Sequence, residues 1–305
     1  MNFSDDKPLS RILNGLFVPY ANRVPDVKAV SSAMKNLGLI TKQEDIINDH
    51  IAFRTLGIPN LGISSFEQIF LHHGYTKQDH YFFPKKKLDA YWYKPPNDSY
   101  PRVFISELRV ESLSKQAQLI IDHYTNNIQE NPLNQVDLDN VDDVVSFLHN
   151  ALWELPRLAD YNTLLKESEY GAWVLYNRYY LNHYTISVHE LPVPYDELKF
   201  FNKFLKSIGV KLNDAGGEIK ISHDRLLRQS STVAQSIQAT FAGGETAKIA
   251  GSYVEFAERL PLPKYAKQPK EKLTNSQRRE GFETGNADKI FESTFSEQIK
   301  RHSQL

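Results

Sequence analysis

Apolar positions along the chain change their spacing several times, and each change marks an element. Val27, Val30, Met34 and Leu37 recur at helical spacing and stop at Gly38, so residues 8–38 read as two short helices. From Asn48 the period falls to two. Ile51, Phe53 and Thr55 alternate with His50, Ala52 and Arg54, as in a strand with two different faces. Ser64-Ser65-Phe66-Glu67 has a capping-box pattern, and Phe66, Ile69, Phe70 and His73 continue at helical spacing up to Gly74. Aromatic and apolar runs at 80–93 and 102–110, separated by Pro95-Pro96-Asn97-Asp98, predict further strands.

Residues 112–180 are richer in helical patterns, such as Val144, Val145, Leu148 and Leu152. The earlier order then returns: a strand at Leu181–His189, a helix carrying Leu198, Phe201, Leu205 and Ile208 that ends near Gly209, and strand-like runs at 218–222, 226–234 and 252–259. The count supports a repeat, because His50 precedes Gly74 by 24 residues and His183 precedes Gly209 by 26. Both histidines also follow polar residues, Asn48-Asp49 in one case and Asn182 in the other. The expected fold is therefore α+β: two βαβββ-like units forming an incomplete barrel, with inserted and terminal helices. One domain over 1–305 is expected, with unit one at about 46–111, a helical insert at about 112–180, unit two at about 181–260 and a tail at 261–305.

Composition narrows the chemistry. Lys+Arg number 36 against 37 Asp+Glu, which leaves no basic field for nucleic acid or an anionic membrane surface. There is no cysteine, so thiolate metal sites, iron-sulfur clusters and thiol nucleophiles are excluded and any metal must use nitrogen and oxygen ligands. The sequence starts without a basic and apolar signal pattern and has no 18-residue apolar stretch, so a cytoplasmic protein is expected.

On the strand after Asn182, alternation puts His183, Thr185, Ser187 and His189 on one face, opposite Tyr184, Ile186 and Val188. With the apolar face against helices, the polar row faces the cavity, where burial is costly unless it binds something. On the last strand Tyr253, Glu255, Ala257 and Arg259 share a face. One histidine from each unit plus Glu255 gives two nitrogens and an oxygen, the donor set suited to iron(II) with open positions for a 2-oxo acid and dioxygen. Arg54 shares the His50 face roughly 13 Å further along, and its side chain could reach back to pair with a second, distal carboxylate.

The stretches Asn48-Asp49-His50-Ile51-Ala52-Phe53-Arg54-Thr55, Asn182-His183-Tyr184-Thr185, Gln229-Ser230-Ser231-Thr232 and Tyr253-Val254-Glu255-Phe256-Ala257-Glu258-Arg259 closely resemble the 2-oxoadipate dioxygenase/decarboxylase family. The resemblance runs from about Leu16 to Phe291 and is to a short form of that family, formerly a domain of unknown function. It implies a vicinal-oxygen-chelate-like fold, iron(II) on His50, His183 and Glu255, and Arg54 gripping the substrate. The reaction it implies converts 2-oxoadipate and dioxygen to 2-hydroxyglutarate and carbon dioxide, within lysine breakdown. Gln229 and Ser231 become candidate substrate contacts, against the alternative that they only decorate a sheet.

Glu107 is the main competitor for the metal, since it ends the first unit much as Glu255 ends the second. As a fourth ligand it would suit a glyoxalase-like isomerase or lyase; the plainer reading pairs it with Arg102 or Arg109. His189 is equally a site residue or a bystander, and Lys85-Lys86-Lys87 reads as a solvated hairpin turn. A metal-free binding module is the remaining, non-enzymatic reading, and the complete triad argues against it.

Overall fold

The computed structural model describes residues 3–303. Helices α1 (Pro8–Arg23) and α2 (Pro25–Asn36) open the chain, each with proline in its first turn, where the missing N–H forfeits no helical hydrogen bond. The first unit comprises β1 (Asn48–Leu56), α3 (Ile63–Phe66), α4 (Gln68–His72), β2 (Thr76–Phe83), β3 (Leu88–Lys94) and β4 (Arg102–Leu108). Four helices follow: α5 (Lys115–Thr125), α6 (Val141–His149), α7 (Leu158–Glu167) and α8 (Glu169–Asn177). The second unit comprises β5 (His183–Ser187), α9 (Leu198–Ser207), β6 (Lys220–Ile221), β7 (Leu227–Ser231), the hairpin β8–β9 (Ser236–Thr240 and Thr246–Ala250) and β10 (Tyr253–Arg259). Helices α10 (Thr284–Ile290) and α11 (Ser296–Ser303) come last.

The main sheet runs β2-β3-β4-β1-β5-β10-β7-β6, which is one four-strand arrangement met twice and joined through its first strands. In each half the first strand lies parallel to the last, with His50 opposite Arg102 and His183 opposite Tyr253. Strands β1 and β5 pair antiparallel at the centre, so two histidines 133 residues apart become neighbours. Gly74 and Gly209 adopt φ of +85° and +83°, a conformation open to glycine, and their N–H groups close the last turns of α4 and α9 on Leu71 and Lys206. The matching helix ends are the physical content of the His-to-Gly spacing.

Strand β1 is buried almost throughout because both of its faces are covered. Phe53 turns outward onto Phe66 and Phe70, with ring centroids 4.8 and 5.6 Å away, while His50, Ala52 and Arg54 turn inward. Phe256 of β10 does the same against Phe201 of α9, at 5.3 Å. The open side of the half-barrel is closed by the C-terminal segment. Phe282 packs edge-on to His50 at 4.8 Å and Phe291 edge-on to Phe83 at 5.2 Å.

Three local expectations are revised. Ser64 and Ser65 form no capping box; they lie inside α3, whose first N–H, from Ile63, donates to the Glu107 carboxylate at 2.7 Å. Lys86, in the basic turn, is not simply solvated, because it pairs with Asp288 at 2.9 Å and Glu292 at 3.1 Å in the C-terminal segment. Strand β5 stops at Ser187, and His189 sits in the 3-10 turn that follows.

Candidate metal centre and substrate cavity

Among the described residues, His50, His183 and Glu255 form a buried group whose ligand atoms all lie within 4.8 Å of one another. His50 Nε2 is 3.4 Å from His183 Nε2 and 3.5 Å from Glu255 Oε2, and His183 Nε2 is 3.0 Å from that same oxygen. Each ligand is gripped from behind. Asp49 Oδ1 lies 2.8 Å from His50 Nδ1, Asn182 Oδ1 lies 3.1 Å from His183 Nδ1, and Gln229 Nε2 donates to Glu255 Oε1 at 2.7 Å. Acceptors on both Nδ1 atoms select the tautomer that leaves Nε2 free for a metal, so the donor set fits a divalent ion bound through nitrogen and oxygen. Burial raises the Glu255 carboxyl, but the two histidines outweigh it and hold the group down at about 2. On His50 burial opposes the charged form, yet Glu255 and Asp49 raise its pKa; on His183 burial prevails and lowers it.

Asp49 lies where the β1–β5 pairing slips between Asn48 and Ile51, a local break in the alternation of faces. Its carboxylate also receives Arg259 Nε at 2.6 Å and a second Arg259 nitrogen at 2.8 Å, and Arg102 stands 3.6 Å away. Burial raises the Asp49 carboxyl, but Arg259 and Arg102 more than offset this and hold it well below the usual range. The remaining terminal nitrogen of Arg259 donates to the carbonyls of Arg279 and Gly281 at 3.0 and 2.7 Å. A single arginine thus ties the support of His50 to the segment covering the cavity.

The cavity is lined at one end by the triad and elsewhere by Arg54, Phe104, Tyr253, Phe282, Ile290 and Phe291. Arg54 is 1 % exposed and forms no salt bridge among the described residues. It donates to Thr294 Oγ1 at 2.9 Å and the Phe291 carbonyl at 3.2 Å, lies against the rings of Tyr170 and Trp173, and has a buried Nε with no partner among the described residues. Burial pushes the guanidinium below the usual arginine range. A buried cation without an acid is costly, and an anionic ligand would relieve that cost.

The other candidates separate. Gln229 lines the cavity, but its amide nitrogen serves Glu255 and its oxygen accepts from Asn286 at 3.0 Å. Ser231 is outside the lining; its hydroxyl is bonded to Ser293 Oγ at 2.8 Å. Glu107 faces away from the cavity and pairs with neither Arg102 nor Arg109, because its carboxylate is used at the start of α3. Glu258 receives the first N–H of α9, from Leu198, at 2.9 Å, so the two glutamates do the same job in the two halves. Counting from the paired histidine strands, the place in unit one that corresponds to Glu255 is held by Phe104, which removes the fourth ligand a glyoxalase-like site would need. His189 Nδ1 accepts from the Arg259 backbone N–H at 3.2 Å and takes no part in the centre. Asp49, Tyr253, Asn286 and residues 279–294 were not anticipated as parts of the site. The polar residue before each histidine was the available signal for Asp49 and Asn182.

The sequence model of the 2-oxoadipate dioxygenase/decarboxylase family matches residues 12–274. A curated relative from Arabidopsis thaliana, the chloroplastic 2-oxoadipate dioxygenase/decarboxylase, is 45% identical over 96% of this chain and 79% of its own length. The crystal structure of the hydroxyglutarate synthase from Oryza sativa in complex with 2-oxoadipate is 40% identical, with a TM-score of 0.87 over 98% of this chain and 97% of that one. A protein from Ralstonia eutropha JMP134 assigned to the glyoxalase superfamily is 23% identical, with a TM-score of 0.70 over 90% of this chain and 85% of that one, and shares the fold. The half-barrel is thus the vicinal-oxygen-chelate arrangement that was expected. The expected cytoplasmic location is corrected by the curated relatives, whose names place them in chloroplasts or amyloplasts. A near-neutral, cysteine-free composition suits a reducing plastid interior as well as the cytosol, so composition could not separate the two. Among the described residues no helix is long and apolar enough to cross a membrane.

Proposed function

The chain belongs to the 2-oxoadipate dioxygenase/decarboxylase family, and on that premise we propose that it uses iron(II) held by His50, His183 and Glu255 to convert 2-oxoadipate and dioxygen to 2-hydroxyglutarate and carbon dioxide. The reaction balances without a further reductant, since both oxygen atoms are retained in the two products and the acid loses one carbon. Iron(II) would supply the redox chemistry that dioxygen requires and that zinc lacks.

The observation that carries this reading is the pairing, in one cavity, of a buried two-nitrogen, one-oxygen triad with a buried Arg54 that has no acid partner among the described residues. A dicarboxylic 2-oxo acid has a chelating end for the first and a distal carboxylate for the second. Gln229 has the supporting task of fixing the Glu255 carboxylate, and Phe282, Ile290 and Phe291 exclude water from the reacting end. Phe104 in the fourth position favours this reading over an isomerase.

The test is oxygen uptake by protein loaded anaerobically with iron(II) or zinc and then given 2-oxoadipate in air. Stoichiometric uptake, carbon dioxide and 2-hydroxyglutarate are expected with iron alone. Product formed with zinc, or without oxygen, refutes the proposal.

A further inference from the structure

Three residues that line the cavity carry a buried polar atom with no hydrogen-bond partner among the described residues, Asn182 Nδ2, Arg54 Nε and the Tyr253 hydroxyl, and the last two belong to neighbouring side chains. Tyr253 has no exposed surface and its ring stacks on His183 at 4.7 Å with an interplanar angle of 30°. Strand register explains where its hydroxyl lies. Tyr253 is level with His183, His183 is level with Ala52, and Arg54 is two residues beyond Ala52 on the same inward face. The phenol therefore bridges the metal end and the arginine end of the cavity. The two terminal nitrogens of Arg54 already donate to Thr294 and the Phe291 carbonyl, which leaves Nε as the unpartnered nitrogen. The Tyr253 oxygen can accept from the guanidinium beside it, but its own O–H then has no acceptor among the described residues, and a buried donor of that kind costs stability unless a ligand accepts from it.

We propose that Tyr253 is a substrate-binding residue: its O–H and the Nε–H of Arg54 together form a two-point donor site for the distal carboxylate of the 2-oxo dicarboxylic acid. The inference rests on the function proposed above and deepens it. Selection of a dicarboxylate then depends on a neutral phenol as well as on the arginine charge.

The experiment compares wild type, Tyr253→Phe, Arg54→Lys and the double variant. Each is titrated anaerobically by calorimetry with 2-oxoadipate and with the monocarboxylic 2-oxohexanoate, and its bound metal and melting temperature are measured. Tyr253→Phe keeps the ring and deletes only the orphan hydroxyl. It should therefore retain metal, melt higher without substrate, and bind 2-oxoadipate about tenfold more weakly with 2-oxohexanoate unchanged. The double variant should lose less than the product of the two single losses, because both donors serve one carboxylate. Equal weakening toward both acids, loss of metal, or unchanged binding of 2-oxoadipate by Tyr253→Phe overturns the proposal while leaving the function standing. Wild-type protein that binds no 2-oxoadipate overturns the function itself, and this inference with it.

Discussion

Replacing Asp49 by Asn tests how the metal centre is held. Asp49 and Arg259 are each 1 % exposed and joined by two short hydrogen bonds of 2.6 and 2.8 Å, while a further Asp49 contact, at 2.8 Å, fixes His50 Nδ1. The amide keeps the shape but removes the charge, so Arg259 becomes a buried cation with no acid. Breaking a buried pair in this way costs about 3–5 kcal/mol. Arg259 keeps two backbone carbonyls as acceptors, which puts the expected loss at the lower end, about 3 kcal/mol. Asn also presents only one acceptor oxygen for Arg259 and His50 to share, so the histidine tautomer is less firmly set and metal affinity should fall about 10- to 100-fold. Urea unfolding of the metal-free protein measures the first effect and competition with a chelator the second. A loss under about 1 kcal/mol together with unchanged metal affinity refutes the reasoning, because a desolvated, doubly bonded pair cannot be that cheap to break. A stability loss with unchanged affinity would show that Asp49 braces the sheet without orienting His50.

Two further outcomes follow from particular side chains. Glu255→Ala should abolish stoichiometric metal binding while Glu107→Ala retains it and loses about 1 kcal/mol of stability, the usual worth of a helix N-terminal acceptor; metal analysis and urea melts decide it, and the reverse pattern would reinstate the four-ligand site. Lys220 is 4 % exposed, its ammonium donates to the Asn213 carbonyl, and burial lowers its pKa from 10.5 to about 8. Lys220→Met should therefore stabilise the protein at pH 7 by up to about 3 kcal/mol, at 1.36 kcal/mol per pH unit. As pH rises from about 8 to 10.5 the folded wild type sheds this proton before the unfolded chain does, so wild type gains stability and the advantage of methionine should vanish. Urea melts at pH 7 and pH 10 measure the difference, and an advantage equal at both would show that the charge is not the cause.

That His50, His183 and Glu255 come together as a candidate metal site was legible because it is written in strand periodicity and in a repeat. Alternation put His50, His183 and Glu255 on inward faces, and the two His-to-Gly spacings located equivalent strands and helices. The support of the histidines was half legible. Asp49 and Asn182 stood out as polar residues ahead of each histidine, but strict alternation sends each to the opposite face from its histidine, and nothing in the spacing shows that their oxygens reach the two rings. Glu107 shows the limit of reading by analogy. It matches Glu258 rather than Glu255, and a shift of that kind along a strand turns a ligand into a helix cap on the outer face.

The substrate end was less legible because it is not part of the repeat. Arg54 lies on a predicted strand face, but everything that decides what it can grip comes from elsewhere: Tyr170 and Trp173 from the helical insert, Phe291 and Thr294 from the C-terminal segment. Such contacts have no period to betray them, since they depend on how two separate helical regions close over the sheet. The repeated sheet positions the candidate metal triad, while the segments that hold Arg54 and cap the cavity lie outside the repeat. Exchanging residues 282–294 should therefore alter which 2-oxo acid is accepted before it alters which metal is bound, except through Arg259, whose hold on both Asp49 and the Gly281 carbonyl couples the two ends.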